Sequence, residues 1–226
     1  MKISYHFRQN LKDPLKTFRI YEIMIAIICI GIPIILRTYD FDKVYPLKVK
    51  VLTSGIVRDS VSNIIKDSVL LIDKDSLGFR TSISDYAYST NSYLFGMLLC
   101  IAAMLFIFNG AVYFRGQNSL QLNNKGKWYN IILGVSLLGV ICCPHRDWQI
   151  LHYLFAIVFF FGNAFVIGLF HNKNDTKKSI VMAILAGGFL LLTFLHIDHF
   201  TLFWGEWASL SVIGIHFILE AKSVKL

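Results

Sequence analysis

The chain has 226 residues, 55% of them apolar and only 16% charged, with a mean hydropathy of +0.58 and a formal net charge of +8. A soluble domain carries about 25% charged residues on a wetted surface. All 22 Lys and Arg fall outside the long apolar runs, and this segregation excludes an ordinary soluble fold and points to a membrane protein.

Residues 1–19 form a basic segment with Lys2, Arg8, Lys12, Lys16 and Arg19. The first apolar run, 20–36, contains Glu22 and lacks a small-residue cleavage pattern, so it reads as a signal-anchor helix, not a cleaved leader. Five further runs follow at 93–114, 128–143, 150–170, 180–196 and 200–219. Crossing the hydrocarbon core takes about 20 helical residues, and irregular backbone cannot face lipid. The expected fold is therefore all-α, a six-helix transmembrane bundle. Its third member is short and must borrow from its neighbours.

Residues 37–92 are predicted to make a small extracytoplasmic cap between helices one and two. Val49–Leu52 and Val69–Ile72 look like short strands, and Asp59–Lys66 like a helical turn or two. A segment of that size with few large apolar side chains barely supports a core of its own. It ends in Ser82-Ile83-Ser84-Asp85-Tyr86-Ala87-Tyr88-Ser89, which places several hydroxyls at the head of the second helix.

Basic residues in the short flanks set the orientation. Five in the N-terminal segment, three in 115–127, three in 171–179 and two in the tail lie on one side, against Arg146 alone in 144–149 and none in 197–199. Both termini are thus assigned to the cytoplasm, in a bacterial inner (plasma) membrane. The eight basic residues of 37–92 accompany seven aspartates, and long loops translocate largely regardless of charge. Membrane orientation accounts for the net charge, and no nucleic-acid binding is expected.

Gly96, Ala103 and Gly110 recur at seven-residue intervals, and small residues also mark the fifth and sixth helices. Such rows let membrane helices approach closely and can also serve a homo-oligomer. Trp148, Trp204 and Trp207 near one boundary and Trp128 near the other read as interfacial belt residues. The four cysteines lie within the spans and read as buried free thiols.

The candidate site lies at the outer level. His145, Asp147 and His152 stand at the start of helix four, His196 ends helix five, Asp198 and His199 occupy the turn, and Glu206 enters helix six. Ionisable groups in a span face the bundle interior or a water-filled cavity. His152 and Glu206 are the leading candidates, with Ser84, Asp85 and Asp198 beside them. The plainer reading pairs His152 with Glu206 to lock two helices. The sharper one gathers His152, His196, His199 and Glu206 around zinc, whose bound water attacks a lipid ester or amide. Glu22 and His216 form a second candidate pair at the opposite boundary, able to pair or to snorkel. Asn109 and Asn163 are read as interhelical hydrogen-bonding groups.

From Ser82-Ile83-Ser84-Asp85-Tyr86-Ala87-Tyr88 through Leu94–Leu99 and Phe108-Asn109-Gly110 to Leu151-His152-Tyr153 and Gly205-Glu206-Trp207, the chain resembles a group of uncharacterised bacterial polytopic membrane proteins. It is more distantly similar to the Frag1/DRAM/Sfk1 and DUF998 membrane families, a resemblance that implies about six helices and lipid-related roles. The serine, aspartate and histidines also resemble those of alkaline ceramidases, but the paired late histidines of that family are missing here. Size and charge are similar to small membrane accessory proteins encoded beside RNA-targeting CRISPR effectors. Three functions follow: a lipid-interacting or regulatory bundle, a metal-dependent lipid hydrolase, and an oligomeric pore-forming effector.

Overall fold

The computed structural model describes residues 14–42, 74–75, 77–115, 128–169, 176–195 and 200–223. Six α-helices run through them: α1 Pro14–Thr38, α2 Ser92–Arg115, α3 Tyr129–Cys142, α4 Gln149–Leu169, α5 Thr176–Thr193 and α6 Leu202–Ser223. A short 3₁₀ turn at Ser84–Tyr88 precedes α2. All but α3 are long and apolar enough to cross a membrane. The strands expected at 49–52 and 69–72 and the helical turn at 59–66 lie outside the described residues, as do His196, Asp198 and His199.

The helices overrun or undershoot the apolar runs for local reasons. Pro14 opens α1, where its missing N–H is no loss. Thr176-Lys177-Lys178 extend α5 backward, since solvated lysines continue a helix that a hydropathy window ends. At its other end α5 stops at Thr193, short of the expected 196. Thr193 Oγ1 donates to Leu190 O at 2.6 Å, and the N–H groups of Phe194 and Leu195 tighten the turn onto Leu191 and Leu192. α3 has 14 residues, about 21 Å of helix. Pro144 ends it by disfavouring helical backbone at Cys143, which turns to φ −116°, ψ 80°.

Each helix packs on the next, and α6 closes the ring against α1, with α4 also reaching α6. Three close backbone approaches hold the ring. A Cβ on Gly134 would lie 2.6 Å from Ala103 O across α2–α3, one on Gly205 2.9 Å from Phe189 O across α5–α6, and one on Gly214 3.1 Å from Ala26 O across α1–α6. The predicted row on α2 works only in part, because Gly96 faces open space while Ala103 is the packed member. Inside, Ile25, Phe106, Phe159, Phe203 and Ile213 are buried in one core that also takes in Ile83 and Tyr86 of the segment before α2. Outside, Ile27, Ile101, Val135, Ile157, Phe165, Ile184 and Ile215 are exposed. Apolar side chains thus cover the outside of the described ring as well as fill it.

The described residues of the segment between α1 and α2, here the cap, do not rely on a core of their own. Asp40, with its carboxylate fully buried, accepts from Arg80 Nε at 2.9 Å and Nη2 at 3.1 Å and pairs with Lys74 Nζ at 3.0 Å. Arg80 also reaches Asp42, which binds Thr90 at the head of α2. Burial raises the Asp42 pKa, but the Thr90 hydrogen bonds and Arg80 outweigh it and hold the carboxyl below its ordinary range. Phe79 stacks on Phe203 at 4.7 Å and lies edge-on to Trp204 at 5.0 Å. Gly78, at φ +79°, makes the tight turn that aims Phe79 there, close against Arg37. The ion pairs were hidden in a loop whose charges looked merely interspersed.

Candidate functional site

The end of the bundle beneath the cap gathers the chemistry. Ser82 and Asp85 bond reciprocally: Ser82 N–H donates to Asp85 Oδ2 at 3.0 Å and Asp85 N–H to Ser82 Oγ at 3.1 Å, the logic of a capping box. Thr81 Oγ1 adds a bond to the same carboxylate oxygen at 2.5 Å. So folded, the turn presents two backbone groups to α6. Thr81 O accepts from Phe203 N–H at 2.7 Å, satisfying one of the orphan donors of the α6 first turn. Ile83 N–H donates to Glu206 Oε2 at 2.6 Å. Glu206 is thus the seat of the cap.

His152 sits in the first turn of α4, buried. Its Nδ1 lies 2.8 Å from Cys143 O. A carbonyl only accepts, so Nδ1 carries the hydrogen and Nε2 is left for other chemistry. His152 and Glu206 do not form the expected helix-locking pair, because each has taken a backbone partner from the loop beside it. They face one cavity of about 40 Å³, lined also by Ser84, Cys29, Leu99 and Phe106. That space has room for a few waters, since one water needs roughly 10–15 Å³. An acyl chain does not fit while the cap is seated.

Asp85 turns away from this cavity toward His145, whose Nε2 is 3.4 Å from Asp85 Oδ1. The His145 ring lies 5.0 Å from Tyr88 and 5.6 Å from His152. Burial pulls the His145 pKa below its ordinary value; Asp85 opposes that, while His152 and Arg146 reinforce it. Arg146 holds the rim, its N–H donating to Tyr88 Oη at 2.9 Å and its guanidinium 4.0 Å over the Tyr88 ring. Tyr86, within the turn, has its phenol pKa raised, chiefly by burial.

Of the predicted site residues, Ser84, His152 and Glu206 line one cavity and Asp85 flanks it. The proposed zinc set shares only His152 and Glu206 with the described residues, among which no group of three metal-type ligands forms. Asp198, His196 and His199 fall outside them. The Asp85–His145 pair was missed, although the Ser-x-x-Asp spacing at 82–85 signals a cap that fixes Asp85 in place. Trp204 and Trp207 are not mere belt residues: their indole N–H groups donate to Asp75 Oδ2 at 2.8 Å and Ile30 O at 3.2 Å, tying α6 to the cap and α1. Trp128 and Trp148 are exposed.

The opposite end carries a second polar layer. Glu22 and His216 are buried, so neither snorkels, and His216 Nε2 stands 3.5 Å from Glu220 one turn away. Asn130 Nδ2 donates to Asn109 Oδ1 at 2.6 Å between α3 and α2. Asn163 instead bonds Phe159 O in its own helix.

A ring of apolar helices with ionisable groups buried inside it defines, among the described residues, a multi-helix protein of membrane-spanning composition. Residues 32–221 match the model of a family of unknown function, DUF7103, and the chain belongs to that family. No curated protein and no solved structure matches it.

Proposed function

We propose that the chain is a multi-pass protein of the bacterial inner membrane, with both termini cytoplasmic and the cap outside. In this reading it interacts with membrane lipid in a regulatory role and carries out no reaction. One observation carries the reading: Glu206 both lines the interior cavity and accepts the cap's Ile83 N–H. Whatever changes the cavity therefore changes the seat of the cap. A buried carboxyl group with a backbone partner, a histidine with one free ring nitrogen and a hydroxyl suit hydrogen bonding to a polar group that enters when the cap lifts. The resemblance to lipid-related membrane families points the same way.

The test is mass spectrometry of protein extracted in native membrane particles, beside Glu206→Gln and His152→Ala. Lipid retained at a fixed stoichiometry, and lost in either variant, supports the reading. A protein that leaves the membrane fraction, or that carries lipid only in bulk proportion, refutes it. Stoichiometric zinc together with release of fatty acid or headgroup from vesicles would replace it with the hydrolase.

A further inference from the structure

A second concavity lies outside the ring, along the seam between the cap and α6. It is a groove of about 380 Å³ lined by Asp75, Leu77, Phe200, Trp204, Trp207, Ala208 and Ser211, with no residue in common with the interior cavity. From the groove's composition we infer that it binds the headgroup of an ammonium-bearing phospholipid, with an acyl chain lying along α6. The inference rests on the membrane reading above but not on the interior cavity.

The headgroup end is built. Asp75 is buried, its Oδ1 accepting from Leu77 N–H at 2.9 Å and Phe79 N–H at 2.8 Å and its Oδ2 from the Trp204 indole at 2.8 Å. Three neutral donors fix the carboxylate without cancelling its charge. The Trp204 and Trp207 rings stand 5.4 Å apart at 31°, and Phe200 lines the same groove. Aromatic faces beside an anion attract an ammonium by cation–π and Coulomb terms together. A phosphate finds its counter-charge one residue away, where Arg37 reaches Leu77 O at 3.5 Å. An anionic headgroup without an ammonium would set a second negative charge, or a bare hydroxyl, against Asp75.

The tail end follows from helical spacing. Trp204, Ala208, Ser211 and Ile215 are spaced i, i+4, i+7 and i+11, one stripe of α6. Large side chains end that stripe at both ends, and small ones, Ala208 and Ser211, leave a trough between them. From Trp204 to Ile215 α6 spans roughly 16 Å, the depth of one leaflet's hydrocarbon. Ile215 is exposed below.

Tryptophan fluorescence tests the site directly. In the Trp128→Phe/Trp148→Phe protein only Trp204 and Trp207 report. Reconstitute it in vesicles of matched phosphatidylethanolamine and phosphatidylglycerol, with acyl bromination on one lipid at a time. Brominated phosphatidylethanolamine is expected to quench about threefold more effectively than brominated phosphatidylglycerol at equal mole fraction. Asp75→Asn should bring the two toward equality. Ser211→Trp, made with a non-quenchable readout (retained lipid by native mass spectrometry), should expel the bound lipid while the cap stays seated. Equal quenching by the two lipids in the parent protein overturns this site alone. Quenching by neither overturns the membrane reading with it.

Discussion

Replacing Arg80 by Met should loosen the cap where it meets the site. Asp40 has a fully buried carboxylate held bidentately by Arg80 and by Lys74. Removing one partner of a buried ion pair costs about 3–5 kcal/mol, because the remaining charge keeps its desolvation penalty. Lys74 stays in place at 3.0 Å, so the low end, about 3 kcal/mol, applies. At about 1.4 kcal/mol per factor of ten, the lifted cap becomes on the order of a hundredfold more populated. The readout is amide hydrogen exchange at Ile83, whose N–H is sealed against Glu206 at 2.6 Å. Its exchange should quicken by about that factor, and by a similar factor in 0.5 M salt, since screening reaches exposed pairs far more than buried ones. Arg80→Lys restores charge without the two-pronged geometry and should recover only part of the protection. An Ile83 rate that changes less than about fivefold in Arg80→Met would refute the view that this cluster, and not the unaided aromatic contact, seats the cap.

Gly134→Ala should destabilise by about 1–3 kcal/mol in a detergent unfolding assay, because the new Cβ meets Ala103 O at 2.6 Å and Ile107 Cγ1 at 2.7 Å. Gly96→Ala, in open space on a helix, should be neutral or slightly stabilising. His145 has a folded pKa below its ordinary 6.5, so the unfolded chain binds the proton more readily. Its contribution is complete above about pH 6.5 and is lost as the pH falls through the folded value; unfolding temperatures from pH 8 to 5 should fall less steeply in His145→Gln. Asp42, with its carboxyl held below 3.8, adds its own loss only in more acid solution. Asn130→Ala should cost about 0.6 kcal/mol, and at most roughly 1.7, as measured for interhelical bonds in membrane helices. Unfolding of Asn130→Ala and Asn109→Leu/Asn130→Leu separates the bond from the orphaned amide: the double variant should be no worse than the single.

The all-helical class and the number of helices among the described residues were legible because they depend on run length and on the segregation of charge along the chain. The apolar runs at 93–114 and 150–170 fall within one residue of α2 and α4. The ends of α5 were not legible, since hydropathy reports partition and helices end by hydrogen bonding at Thr193 and continue through solvated Lys177 and Lys178. Spacing alone put His152, His196 and Glu206 at one level; His152 and Glu206 do line one cavity, and His196 lies outside the described residues. Which of them bond was beyond spacing, because Cys143 O and Ile83 N–H are backbone groups with no signature in the side-chain pattern.

The amino-acid order by itself determined that helices form, how many, and that ionisable side chains must turn inward, since each of these follows from local transfer free energy along the chain. Only the tertiary structure decided that α6 closes against α1 through Gly214, that Asp40 finds Lys74 and Arg80, and that Glu206 receives the cap. These contacts join residues as many as 188 positions apart, as Ala26 and Gly214 are. Local preference cannot specify them; shape and charge complementarity in the packed ring does.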